Sequence, residues 1–480
     1  MFCVLRVKER ALAMAKTSAA AVQAADITQG VIWKQLLVYF FPILLGTFFQ
    51  QLYNTADAVI VGQFVGTRAL AAVGGSTGTL VTVVVNLFVG IASGTTVLVA
   101  QRVGARDAGA VSRAVHTSAA ISLMGGAAFT VIGLLLARPA LAAMGTPADI
   151  MDYSLTYLRV YFLGCIPSFF YNIGAGVLRA VGDTKRPLYF LVAACLTNIV
   201  LDLVFVVGFS WEVFGAAAAT VISQVISAVL AWVYLARSQG PLRLEARQVR
   251  LHKNAFSNVM RVGVPAALQS NMYTISNILI QASINSFGTD TVAAWTAFGK
   301  LDGFFWMISG AFGIAVTTFA GQNFGAGRID RVRKSVRVCM GLEGATAAVM
   351  SLLMCLCGPW LLGIFTQDTA VIDVGLVMVR WMMPFYLTFI MVEVYSAAIR
   401  GCGESLVPMV LTGTGICVFR VLWVLVLVPF VRDLRIILVS YPISWTLTSA
   451  LFFVYYRSGR WLHRPVLENL ARQEQSGDEA

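Results

Sequence analysis

The chain has 480 residues, 58% of them hydrophobic and only 12% charged, with a mean hydropathy of +0.78 and a formal charge of +12. That balance excludes a soluble globular protein. It also excludes a nucleic-acid binder, because the basic residues fall in alternate loops between apolar runs and form no single patch.

In chain order, residues 1–32 form a polar, Ala-rich lead without an apolar stretch long enough for a cleaved signal peptide. They read as a disordered cytoplasmic segment, with Met14 as a second candidate start. Twelve apolar runs of spanning length follow. Six lie near 33–61, 72–99, 111–137, 153–178, 187–209 and 213–236; six more lie near 255–286, 291–319, 335–365, 371–398, 408–431 and 435–456. The predicted fold class is therefore an all-α polytopic membrane protein with twelve transmembrane helices, since a β-barrel shows ~10-residue alternating segments instead.

The first run carries Asp57 and Pro42, and Gln50, Tyr53 and Asn54 share the helix face of the acid. A carboxylate in a spanning helix costs ~2.5–3.5 kcal/mol on insertion scales, so it either handles an ion or pairs near the headgroups. Basic residues then cluster at Arg102, Arg106 and Arg113, at Arg179, Lys185 and Arg186, from Arg237 to Lys253, from Arg328 to Arg337, and in the tail from Arg457. This positive-inside pattern predicts a multi-pass inner (plasma) membrane protein with both termini cytoplasmic and its basic loops against anionic lipid headgroups.

The second half repeats the first. Gln101–Ala105 (QRVGA) is echoed by Gln322–Ala326 (QNFGA), an offset of 322 − 101 = 221, and LRAVGDTKRP ending at Pro187 is echoed by IRGCGESLVP ending at Pro408 at the same offset. Each copy holds an even number of spans, so the two are parallel six-helix repeats around a predicted central cavity. The expected division is an N-lobe over 33–236, a cytoplasmic linker over 237–254, a C-lobe over 255–456 and a cytoplasmic tail over 457–480. Gly104, Gly182, Gly325 and Gly403 are expected in left-handed turns. Asp183 and Glu404 are expected to open the next helices, and Gly74/Gly78 with Gly90/Gly94 to offer small faces for close packing.

Positions that break the repeat point to function. Asp57 maps onto Ile278 or Leu279; Asn198 and Asp202, one turn apart in the fifth span, map onto Phe419 and Trp423; Thr220 maps onto Tyr441. Only the first copy thus pairs two span acids with amide and hydroxyl company. Two carboxylates in low dielectric do not both stay charged cheaply, so the pair takes a proton or cages a hard cation such as Na+; a polar clamp between helices is the alternative reading. The second copy carries Lys300, Asp302, Glu393 and Arg420, with Glu393 opposite Asn172 of the first. Glu393 either attracts a cationic substrate, pairs with Lys300 or is structural. Tyr273, Asn277 and Gln281 form a polar stripe suited to a cavity wall. No metal motif, P-loop, HExxH or GxSxG occurs, so no resident metal, cofactor or catalytic residue is expected.

The duplicated twelve-span layout, the first-span Asp57, the Gln-x-x-Gly-Ala loops and the LRAVGDTKRP/IRGCGESLVP pair together resemble multidrug and toxic compound extrusion (MATE) transporters from Trp33 to Tyr456. The resemblance implies a monomeric secondary antiporter that exports cationic or amphipathic small molecules against H+ or Na+ by alternating access. It also implies a cation site at Asp57, Asn198, Asp202 and Thr220 and a helix kink at Pro42. Lys300, Glu393, Gln50, Tyr53, Asn54, Tyr273, Asn277 and Gln281 become cavity candidates. A flippase for lipid-linked precursors is the alternative within transport, and an intramembrane enzyme the distant one. The seventh span has no acid, so the acid pair of sodium-coupled members between spans seven and ten is not expected here.

Overall fold

A computed structural model describes residues 27–462; the amino-terminal lead and the end of the tail lie outside the described residues. The described chain is helical throughout, with no strand among the described residues. Helix α1 (Ile32–Phe64) runs about 50 Å, enough to cross a bilayer. After a turn at Gly66 come α2 (Thr67–Gly74) and α3 (Ser76–Gly104), then α4 (Ala108–Ala143), whose first turn is capped by Asp107 Oδ1 accepting from the Ala110 amide at 2.9 Å. The predicted span at 153–178 is broken: α5 (Met151–Leu163) and α6 (Cys165–Ala180) meet at 51°. Pro167 explains the break, because it cannot donate to the carbonyl of Leu163. Helix α7 (Lys185–Asp202) ends in a π-helical turn (Leu203–Gly208), and α8 (Glu212–Arg237) follows.

The second set is α9 (Lys253–Asn285), α10 (Thr289–Gly325), α11 (Ile329–Gly363), α12 (Thr369–Met382), α13 (Tyr386–Gly401), and α14 (Leu406–Thr412) joined through a π-helical turn (Gly413–Val418) to α15 (Phe419–Leu427); α16 (Leu434–Arg457) closes it. Ten of these segments are long and apolar enough to span, and the bent α5–α6 pair makes an eleventh. The twelfth, α9, has the length at 33 residues but carries Gln269, Ser270, Asn271, Thr274, Ser276, Asn277 and Gln281 along its middle. A purely hydropathic criterion passes over a helix that spends its polar residues on protein contacts. Large apolar side chains such as Leu135, Leu356 and Trp360 are about 70% exposed, the arrangement lipid requires.

The repeat is visible in the backbone. Gly182 and Gly403 take φ of +98° and +96°, and the acids beside them cap the next helix: Asp183 Oδ1 accepts from the Arg186 amide at 3.2 Å, Glu404 Oε1 from the Leu406 amide at 3.1 Å. Gly104 and Gly325 do not take the expected left-handed turn; both end helices, and the positive φ falls two residues on, at Arg106 (+58°) and Gly327 (+70°). Gly325 is needed for closeness instead, because a Cβ there would lie 1.9 Å from the Gln101 carbonyl oxygen.

Two compact units emerge. Among the described residues the first comprises 27–29, 41–264 and 325–327, and the second 30–40, 265–324 and 328–462. The first is centred on Phe88, stacked on Phe169 at 4.4 Å and met edge-on by Phe129. The second holds an aromatic group in which Phe305 stacks on Tyr386 at 4.1 Å, beside Trp306, Phe389 and the fully buried Trp445.

The stretch after α8 is ordered on the first unit. Leu244 is buried and its amide donates to the Leu235 carbonyl. The Glu245 amide donates to Nε2 of buried His116, which faces the Ser112 carbonyl through Nδ1. His252 pairs with Thr117 through Nδ1 at 2.9 Å and accepts from Arg250 Nε at 3.1 Å through Nε2. Desolvation, then the cations Arg250 and Arg113 and the neighbouring His116, hold the His252 imidazole below its ordinary value of 6.5. A base so depressed favours the docked state above pH 6.5 and opposes it as pH falls below that value. Amide exchange over 240–252, corrected for intrinsic rate, should therefore rise on going from pH 7 to pH 5, and His252→Gln should flatten the rise.

Candidate functional site

The first unit brings together the four residues that broke the repeat. Asn198 and Asp202 point the same way from the last turn of α7 because they are four apart, and both are fully buried. Asp202 is the final α-helical residue before the π turn, a local rewinding often found at working sites. Thr220 is buried on α8, directly after the small stretch Gly215–Ala219, whose alanines 216, 217 and 219 are themselves wholly buried. Asp57 is 7% exposed on α1.

Tyr157 on α5 joins the set, its hydroxyl donating to Asp57 Oδ2 at 3.5 Å, with Tyr161 stacked alongside. The phenols of Tyr53 and Tyr157 approach Thr220, and the two carboxylates are near enough for their charges to interact.

What distinguishes the cluster is its unmet hydrogen bonding. Asp57 Oδ1, both side-chain polar atoms of Asn198, both carboxylate oxygens of Asp202 and Thr220 Oγ1 are buried without a hydrogen-bond partner. An unsatisfied buried polar group costs about 1–3 kcal/mol, more if charged, and native proteins rarely leave several together. The donor set is four oxygen-bearing side chains including two carboxyls, which suits a proton or a hard cation and offers nothing to a soft metal.

The remaining candidates scatter. Of the α1 stripe only Tyr53 enters the cluster; Gln50 and Asn54 are exposed, because the helix turns just that one neighbour of Asp57 inward. Pro42 lies within a continuous α1 and deprives the Val38 carbonyl of its usual donor. In the second unit Tyr273 is half-buried, Asn277 is exposed, and Gln281 spends its amide on Asn285 at 2.8 Å. Lys300 is exposed and makes no ion pair with Glu393. Asp302 is satisfied by Trp306 Nε1 at 2.7 Å and by the Tyr386 hydroxyl. Buried Arg420 lies 3.8 Å over the Tyr441 ring and donates to Ser444 Oγ.

Sequence reasoning missed Tyr157, which no pattern singles out among its aromatic neighbours. It also missed Glu343, an acid in the middle of an apolar run that the same signal as Asp57 would have found.

A family model described as MatE matches residues 42–204 and 265–426. The chain belongs to the MATE family. One matched stretch lies in each half of the chain, and Asp57, Asn198 and Asp202 fall in the first. Among curated proteins, the probable multidrug resistance protein YpnP of Bacillus subtilis is 29% identical over 92% of this chain and 98% of its own length. YoeA of the same organism, with the same description, is 28% identical over 89% and 94%. The multidrug export protein MepA of Staphylococcus aureus is 21% identical over 87% and 91%. Among solved structures, a MATE protein in the bent conformation superposes with a TM-score of 0.85 at 23% identity, covering 91% of this chain and 97% of that one. A Pyrococcus furiosus transporter of the MOP superfamily, described as having a binding pocket of reversed polarity, superposes with a TM-score of 0.84 at 23% identity over 91% and 97%.

Proposed function

We propose that this MATE-family protein is a secondary active multidrug efflux carrier that exchanges cationic or amphipathic compounds for H+ or Na+ by alternating access. The single observation that carries the coupling half of this reading is the set of six unpartnered buried polar atoms on Asp57, Asn198, Asp202 and Thr220. A structural clamp would satisfy its own hydrogen bonds; this cluster leaves them for a passenger.

The ion is cargo here. Its arrival cancels one of the two carboxylate charges, and its departure leaves two that repel, so the occupied and empty cluster favour different helix arrangements. Tyr157 and Tyr53 hold the Asp57 side of the cage, while α7 and α8 hold the other. The family's drug-resistance relatives support export of small molecules, and the apolar exterior supports embedding in a bilayer. The alternation of basic loops supports a plasma-membrane protein with cytoplasmic termini, and the sequence repeat supports lobes over 33–236 and 255–456 with a linker over 237–254.

Buried Arg420 favours a second reading, in which the passenger carries an anionic group, as a lipid-linked precursor would. Its charge already faces Tyr441 and Ser444, which favours the cationic passenger.

The test is efflux of a cationic dye and of an anionic one from everted vesicles, under a proton gradient alone and under a sodium gradient alone. The proposal expects the cationic dye to move uphill under one of the two gradients. Uphill movement of the anionic dye alone, or downhill leakage of both, contradicts it.

A further inference from the structure

The second unit holds an acid that neither the repeat nor the proposed coupling cluster uses. Glu343 sits near the middle of α11 and is 1% exposed. Ser309 on α10 donates to its Oε1 at 2.6 Å, while Oε2 is buried with no hydrogen-bond partner. One turn beyond Ser309, on the same face of α10, Gly313 makes room for a second carboxyl: a Cβ there would lie 2.0 Å from Glu393 Oε1. Helix α10 thus receives Glu343 and Glu393 side by side, and the two are close enough for their charges to interact.

The other titratable groups that feel the pair are Cys339 on α11, Tyr273 on α9 and Arg400, two turns past Glu393 on α13. Among the described residues none of them ion-pairs with Glu343. At the repeat offset Glu343, Glu393 and Ser309 correspond to Ser122, Asn172 and Phe88, so the same fold stands in the first unit without either carboxyl.

A bare carboxylate oxygen inside a helix bundle, next to a second carboxyl and with no ion pair of its own, is a costly arrangement unless something neutralises it. A hard metal ion wants six or more oxygens, and the neighbourhood offers two carboxyls and one hydroxyl. A proton needs only one oxygen.

We propose that Glu343, with Glu393 as its partly buried neighbour, is a second proton-binding site, separate from the Asp57–Asp202 cluster. Glu393 is the less enclosed of the two and Glu343 is closed off, so protons arrive by way of the first and rest at the second. If the coupling cluster also carries a proton, the carrier moves two per cycle; that consequence rests on the antiport reading, whereas protonation of Glu343 does not.

Dicyclohexylcarbodiimide attacks protonated carboxyls in apolar surroundings, and mass spectrometry of the purified full chain locates the adduct. At pH 7 the wild type and Asp57→Asn should both be labelled at Glu343. Labelling should drop several-fold in Glu393→Gln and stay unchanged with 100 mM sodium at constant pH. No adduct at Glu343 in a wild type whose cooperative melting shows it folded overturns the proposal, as does labelling indifferent to Glu393, or protection by sodium. In proteoliposomes held at zero potential and driven by a pH gradient, Glu343→Gln should lower the limiting substrate ratio to about its square root while uphill transport persists. Loss of the Asp57 dependence in the same assay would count against the coupling cluster and leave the labelling result standing.

Discussion

Asp57→Asn and Asp202→Asn should each abolish uphill efflux while leaving substrate exchange. For an uncharged amphipathic substrate, one ion moving through ~100 mV supplies ~2.3 kcal/mol and a tenfold gradient costs ~1.4, so one ion per cycle sustains a ratio of roughly fifty-fold. A monocation exchanged for one such ion moves no net charge and draws on the ion's concentration gradient alone. Neutralising either acid removes the two-charge repulsion that makes the empty cluster unfavourable, and the accumulation ratio should fall toward one. Counterflow of labelled against unlabelled substrate needs no ion movement and should persist within a few-fold of wild type. Unchanged accumulation in both variants would remove the cluster from coupling; loss of counterflow as well would make the acids structural or substrate-binding. Thr220→Ala should act in the same direction with a smaller effect, since it removes one oxygen and no charge.

The second large effect is on folding. Gly94 on α3 and Gly263 on α9 face one another within the first unit: a Cβ on Gly94 would lie 2.2 Å from the Val259 carbonyl oxygen, and one on Gly263 would lie 2.7 Å from Ile91 Cα. Both atoms that would be struck belong to backbone, so no side-chain rotation relieves the clash. Gly94→Val or Gly263→Val must push two helices apart, at a cost of about 3 kcal/mol. Thermal unfolding in detergent should show both variants well below the wild type. Gly299→Ala on α10, where nothing lies within 4 Å, should match or exceed it, because alanine favours helix by up to about 1 kcal/mol. Equal melting of Gly94→Val and Gly299→Ala would contradict the close crossing.

Much of this was legible before any coordinates. Period and length gave the helices, and a single offset gave the repeat. Asking which polar residues the second copy lacks singled out Asn198, Asp202 and Thr220, all three buried in the same unit as Asp57. Gly90/Gly94 was read rightly as a packing face, while Gly74 meets nothing within 4 Å, since spacing alone does not say which small faces find a neighbour.

Three things were not legible. The break between α5 and α6 depends on where Pro167 falls relative to a carbonyl, which an apolar count ignores. The left-handed residue after α3 is Arg106, a residue type that gives no turn signal, although its repeat partner Gly327 does. Gln50 and Asn54 share a nominal face with Asp57 but are exposed, because helical spacing alone does not say which members of a stripe are enclosed.

The central claim is that Asp57 and Asp202 hold the coupling ion, and ion binding to the purified protein tests it without transport. In weakly buffered detergent solution, a saturating cationic substrate should release protons, or displace bound radioactive sodium, in proportion to the protein. Asp202→Asn should lose that release while still binding substrate. Release from Asp202→Asn equal to that of the wild type would contradict the account.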